Sequence, residues 1–208
     1  MQATGTPRIK ICCIQNEAEA ELAIDAGADA LGFVSAMPSG PGPVDEAVIA
    51  RVAARVPPPI ATFLLTSAPS ADLIIAQQRR CGTNTIQLVD DVPPGTHRVL
   101  RESLPGVRIV QVIHVIDESS VEQAQAVAPL VDALLLDSGN PTLRIKVLGG
   151  TGRLHNWALS RRIREAVKVP LFLAGGLRPN NVRAAIEAVR PFGVDVCSGL
   201  RTDGVLDP

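Results

Sequence analysis

The chain has 208 residues, with 21 acidic against 20 basic side chains, a formal net charge of −1, aromatics at 2% and no tyrosine. Such a composition offers neither a basic stripe nor a stacking platform, so nucleic acid is not an expected partner. No apolar run reaches the roughly 18–20 residues that cross a bilayer, and Met1 to Lys10 holds no signal-peptide core, which predicts a cytoplasmic protein without a membrane partner.

Arg8 to Cys13 reads as a short buried strand. Glu17 to Ala26 follows as a helix with Leu22 and Ile24 inward, closed by Gly27 at its C′ position. The unit then starts again: Asp29 to Val34 is a strand, Asp45 to Val56 a helix, Ile60 to Thr66 a strand and Ser70 to Arg80 a helix. Further apolar strands are predicted at Thr83 to Val89, Val107 to Val115, Val131 to Leu136, Pro170 to Ala174 and Gly193 to Cys197. Helices fall between them at Pro94 to Leu104, Glu118 to Ala128, Ala158 to Lys168 and Pro179 to Val189.

Strands that read as continuous Val/Ile/Leu runs are buried on both faces, and helices between them imply parallel pairing. Eight such units, with no linker, predict an α/β chain folded as one (β/α)₈ TIM barrel domain. An open doubly wound sheet is the rival, but it usually carries a G-x-G-x-x-G turn after the first strand, which is absent. Three strands echo one another: GADALGF, VDALLLDSG and GVDVCSG. No eighth helix is read after the last strand, so either a partner is expected to cover the seam between first and last strands or the sequence is trimmed.

In a barrel the C-terminal strand ends form the active face. Asp137 stands there, where Leu134-Leu135-Leu136 runs into Ser138-Gly139, and it is either a chemical group or a cap. A loop longer than usual follows, through Gly149, Gly150, Thr151, Gly152 and Arg153 to Trp157, with the character of a substrate lid. Gly175, Gly176, Ser198 and Gly199 end strands seven and eight. Small residues at those positions let backbone N–H groups approach an anion, which predicts a phosphate site. Cys12 and His114, at the ends of strands one and five, are both candidate bases opposite Asp137. Cys12, Cys13, Cys81 and Cys197 fit neither a C-x-x-C metal pair nor a disulfide framework, so free thiols and no metal are expected.

These residues carry a resemblance. Lys10-Ile11-Cys12, the Gly27 to Phe33 run, Leu135-Leu136-Asp137-Ser138, Gly149 to Gly152 ending in Trp157, Leu173 to Leu177 before Pro179-Asn180-Asn181-Val182, and Gly193 to Gly199 followed by Asp203-Gly204 span almost the whole chain. In that order and spacing they resemble the phosphoribosylanthranilate isomerases, (β/α)₈ enzymes of tryptophan biosynthesis. The resemblance implies that Cys12 is the general base and Asp137 the general acid of an Amadori rearrangement, an aldose-to-ketose isomerisation of a phosphorylated aminosugar. It implies no cofactor and no metal, with the protein acting as a monomer or homodimer. A related isomerase of another phosphosugar, or a non-catalytic binder of phosphorylated metabolites, are the alternatives.

The departures define the open questions. Cys13 stands where the family has Gly; since neighbours on a strand face opposite ways, Cys13 is expected to pack outward beneath the helices. Met37 to Val44 carries no basic residue, although the family places there an Arg that meets the anthranilate carboxylate. Val89-Asp90 replaces a His-Gly pair, His155-Asn156-Trp157 replaces Phe-Asp-Trp, and Arg201 replaces a Glu. Arg153 in the lid is the expected substitute cation, with Arg201 expected to reach the phosphate and Lys10 a further candidate.

Overall fold

The computed structural model describes residues 5–139, 146, 148 and 155–208. Eight parallel strands close into a barrel in chain order: β1 (Arg8–Ile11), β2 (Ala30–Val34), β3 (Ala61–Thr66), β4 (Thr85–Leu88), β5 (Arg108–His114), β6 (Ala133–Asp137), β7 (Leu171–Leu173) and β8 (Gly193–Val196), which returns to pair with β1. The helices between them are α1 (Glu17–Asp25), α2 (Glu46–Ala53), α3 (Ala71–Cys81), α4 (Thr96–Ser103), α5 (Ser119–Val127), α6 (Trp157–Ala166) and α7 (Val182–Val189).

Local chemistry sets the element ends. Asn16 caps α1 by accepting from the Glu19 N–H at 3.0 Å, and the helix closes when Gly27, at φ 93°, donates to Ile24 while Ala28 donates to Ala23. That pair of bonds is a Schellman motif, which needs the left-handed conformation that glycine adopts without strain. Asn156 caps α6 through Ala158 and Leu159, and Gly82 ends α3 at φ 68°. At the bottom rim the residue entering one strand caps its neighbour. Asp29 accepts from the Ile9 N–H at 2.8 Å, Asn84 from Thr62 at 2.9 Å and Asp132 from Ile109 at 2.9 Å.

Period-two alternation divides the core. Inward-facing Phe63, Leu65, Val110, Val112, Leu135 and Phe172 fill the barrel, with Phe172 in edge-on contact with Phe63 and Phe192. Outward-facing residues such as Leu31, Leu64, Ile86, Ile113 and Leu136 are buried under the helices. Most strands therefore bury apolar side chains on both faces and read as hydrophobic runs, the exceptions being inward polar residues such as Lys10, Thr85, Gln87 and Asp195.

The last strand is followed by no α-helix among the described residues. A short 3₁₀ turn (Ser198–Leu200) leads instead into an antiparallel hairpin of β9 (Arg201–Thr202) and β10 (Val205–Leu206). Leu206, 7% exposed, packs with Ile11, Ile14 and Ala20, so this hairpin supplies apolar cover beside β1 and α1. No described helix is long and apolar enough to cross a membrane.

Candidate active site

The C-terminal strand ends surround a small cavity of about 80 Å³ that opens to solvent. Cys12, Asp137, Asp195, Gly175, Gly176 and Ser198 all line it. Gly199 stands one residue behind Ser198 and is fitted to its place, since a Cβ there would lie 2.0 Å from the Leu177 carbonyl oxygen. Gly150, Thr151, Gly152 and Arg153 lie outside the described residues.

Asp137 is the last residue of β6 and 9% exposed. Its Oδ1 accepts from the Ser138 N–H at 2.7 Å. Burial pushes its pKa up to about 6, against the pull of the Ser138 N–H, and the Asp195 carboxylate adds to the rise while Lys10 opposes it. A carboxyl in that range is protonated for part of the time near neutrality, as a general acid must be.

Cys12 follows β1 and faces inward, in phase with Lys10. Burial pushes its thiol up to about 11, with the Lys10 ammonium pulling it down and Asp195 pushing it further up. Lys10 is fully buried, 2.8 Å from Asp195 Oδ1 and 5.2 Å from the Phe63 ring centre. Burial works against its charge, but Asp195 and Cys12 outweigh it and hold its pKa above the ordinary lysine value. Gly32 on β2 makes room for the group: a Cβ there would come 2.8 Å from Lys10 Nζ and 2.9 Å from Cys12 Sγ. The Lys10–Asp195 pair is not apparent from the sequence. Its signal is an acid in mid-strand, Asp195, at an inward position among apolar neighbours.

The loop after β7 turns on two left-handed glycines, Gly175 at φ 83° and Gly176 at φ 65°. The Asn181 side chain bridges the loop, donating to the Gly176 carbonyl at 3.0 Å and accepting from the Arg178 N–H at 2.8 Å. Among the described residues, the N–H groups of Gly175, Gly176, Ser198 and Gly199 donate to no protein acceptor. His155 packs behind Gly175, where a Cβ would lie 2.8 Å from its Nδ1; burial holds this imidazole at a pKa of about 4.

Several sequence expectations are corrected here. Cys13 does not pack outward. The strand ends at Ile11 and Cys13 turns to φ 65°, so alternation no longer governs it and both cysteines line the cavity. Nor is it a free thiol: Cys13 and Cys197 form a disulfide with a Cα–Cα distance of 6.0 Å, leaving Cys12 and Cys81 free. Arg201 does not serve an anion in the cavity. It is buried against Glu19, 2.7 Å away, and donates to the Cys13 and Gly204 carbonyls. Lys10 is committed to Asp195. His114, 7% exposed, bonds the Val89 carbonyl through Nε2 at 3.0 Å and is absent from the cavity lining, so it serves the sheet. Trp157 packs into the layer between barrel and helices.

Residues 9–208 match the model of the N-(5'-phosphoribosyl)anthranilate isomerase family. The chain belongs to that family. Relatives bearing the same name are 32% identical in Methanocella arvoryzae over 94% of this chain and 90% of that protein, and 35% identical in Halorubrum lacusprofundi over 96% and 91%. Among solved structures, the phosphoribosylanthranilate isomerase of Thermotoga maritima superposes with a TM-score of 0.81 at 30% identity, covering 97% of this chain and 93% of the other. A phosphoribosylanthranilate isomerase solved in complex with reduced 1-(o-carboxyphenylamino)-1-deoxyribulose 5-phosphate gives 0.78 at 28% identity, with the same coverage. Among the described residues of this family member, no group of three or more His, Cys, Asp or Glu side chains is placed to hold a metal ion.

Proposed function

We propose that this barrel catalyses the Amadori rearrangement of N-(5'-phosphoribosyl)anthranilate to the corresponding 1-amino-1-deoxyketose phosphate. One arrangement supports the reading: a carboxyl pushed up to about 6 and a thiol beside a buried ammonium line the same cavity as Gly175, Gly176 and Ser198, whose N–H groups have no protein acceptor among the described residues.

In this reading the phosphate docks on Gly175, Gly176, Ser198 and Gly199 and holds the sugar between the two strand ends. Asp137 protonates the ribose ring oxygen, the C1′–O bond breaks, and the aniline nitrogen lone pair forms the Schiff base. Cys12, as thiolate, takes the C2′ proton, and those electrons neutralise the iminium as an enolamine. Tautomerisation then yields the ketose. Lys10 stabilises the thiolate without leaving Asp195, and Asp195 keeps the acid and the base from ionising too easily.

The aglycone end has been rebuilt. Met37, Ser39, Gly40 and Pro41 line the cavity and carry no charge. Lys146 brings a cation to this rim, its carbonyl accepting from Ser39 Oγ at 2.6 Å and its ammonium paired with Asp90. Arg153 is the basic side chain expected to meet the substrate carboxylate. The absence of a basic residue on segment 37–44 favours, as the second reading, a phosphosugar without the carboxylate. Turnover of freshly generated phosphoribosylanthranilate, run beside a panel of aldose phosphates and aminosugar phosphates, separates the two. Activity on the first that disappears in Asp137→Asn supports the assignment; activity confined to the panel overturns it.

A further inference from the structure

We propose that the Cys13–Cys197 disulfide is a thiol-exchange site whose oxidation state sets how tightly the barrel mouth holds phosphate. The proposal rests on the assignment of the phosphate loop above.

The placement of the two cysteines is the argument. Cys13 and Cys197 are 184 positions apart, yet they end neighbouring strands, and the bond joins the loop after β1 to the loop after β8. Cys197 immediately precedes Ser198 and Gly199, which belong to the assigned anion site, and Cys13 immediately follows Cys12. The cross-link therefore ties the strand end that carries the base to the turn that carries the phosphate donors. Its anchor on the Cys13 side is firm. That residue is 4% exposed, its carbonyl accepts from Arg201, and a Cβ at Gly42 would stand 2.7 Å from its own Cβ.

On the Cys197 side, Leu200 donates to the Cys197 carbonyl at 3.2 Å and Asp207 to Leu200 at 2.9 Å, and Arg201 beyond the 3₁₀ turn of Ser198–Leu200 pairs with Glu19. Neither Ser198 nor Gly199 donates its own N–H to a protein acceptor among the described residues. An anion site built from backbone N–H groups binds well only while those donors are already aimed, because ordering them on binding costs conformational entropy. The disulfide supplies that order. Both sulfur-bearing residues line the cavity, so a small thiol entering the mouth reaches the bond and a bound phosphate obstructs it.

The exchange balances as follows. A low-molecular-weight thiolate attacks Cys197 Sγ, the Cys13–Cys197 bond breaks and Cys13 leaves as thiolate. A second thiolate attacks the outer sulfur of the mixed disulfide, releasing Cys197 and a low-molecular-weight disulfide; two protons complete the two thiols. Oxidation is the reverse, with that small disulfide as the oxidant.

Linkage makes the test reciprocal: if the disulfide tightens phosphate binding by some factor, phosphate must stabilise the disulfide by the same factor. The intact chain is equilibrated with oxidised glutathione or with dithiothreitol, and its thiols are counted by alkylation in denaturant and mass spectrometry. Two free thiols are expected in the first case and four in the second. Inorganic phosphate titrated calorimetrically should bind about five- to tenfold more tightly to the oxidised form, a coupling at the low end of the usual range. Saturating phosphate should shift the disulfide's equilibrium with dithiothreitol by the same factor. Cys197→Ser and Cys13→Gly, the latter suited to φ 65°, should both bind phosphate like the reduced form under either condition. Four free thiols after oxidation, or phosphate affinities within twofold in both states, overturn the proposal and leave the isomerase reading standing. Phosphate bound in neither state removes the phosphate-loop assignment and this proposal with it.

Discussion

Lys10 Nζ lies 2.8 Å from Asp195 Oδ1 inside the barrel, the lysine fully buried and the aspartate 8% exposed. The two are register partners on the strands that close the cylinder, β1 and β8, so the ion pair sits at the closure itself. A buried pair gives little net stability when intact but costs about 3–5 kcal/mol when one partner is removed, because the other is left charged in a dry site. Its value here is electrostatic, since both charges act on Cys12 and Asp137.

Lys10→Met should therefore destabilise the fold by about 3–5 kcal/mol in urea denaturation. The double variant Lys10→Met with Asp195→Leu should recover most of that loss. In Lys10→Met, alkylation of Cys12 should titrate still higher than about 11, since the ammonium pulls that thiol down. An unchanged alkylation profile would mean that Lys10 is a packing residue only.

The rate profile should show two limbs. With an acid near 6 and a base near 11, log kcat/KM should rise to about pH 6, stay level, and fall above about pH 11. On the plateau only about one molecule in 10⁵ carries a protonated Asp137 and an ionised Cys12 together, so turnover relies on binding to draw that form out. A profile without a break near pH 6 removes Asp137 from the role of acid.

Asp137→Asn should make the protein more stable while abolishing isomerisation. Asp137 has a folded-state pKa raised from 3.8 to about 6, so between those values the folded state binds more protons than the unfolded state, and stability falls as pH rises. The full penalty, about 3 kcal/mol from a shift of roughly two units, is present above pH 6 and absent below about 3.8. Unfolding curves at pH 4 and pH 7 should differ by less in the variant, and equal pH slopes would show that the carboxyl carries no such cost.

Gly32→Ala tests the packing of the base. Gly32 lies in β2 outside the left-handed region, so alanine suits its backbone, but the added methyl would press on Lys10 Nζ and Cys12 Sγ. A misplacement of about an ångström costs on the order of a hundredfold in rate. Turnover should fall by about that factor while the affinity for inorganic phosphate holds. A parallel loss of phosphate affinity would place the disturbance elsewhere.

Much of this protein was legible in the sequence, because the signals were local. Strand and helix periods and the Gly27 stop depend on neighbours in the chain, and together they specify alternating β and α units that close as a barrel. Asp137 and the glycine pair Gly175-Gly176 could be placed at the active face for the same reason, since strand ends converge there in any such barrel. What the tertiary structure decided involves partners far apart in the chain. The echo of GADALGF with GVDVCSG hides a difference in depth: Asp29 enters its strand and caps Ile9, whereas Asp195 stands in mid-strand and meets Lys10, 185 residues away. Arg201 turned to Glu19 because a hairpin replaces the eighth helix there, and Cys13 turned to Cys197 because its left-handed backbone broke the alternation. Alternation and spacing describe a side chain's direction only while the backbone is regular; where β1 and β8 end, partners come from closure of the barrel, and closure is not written in any short stretch of sequence.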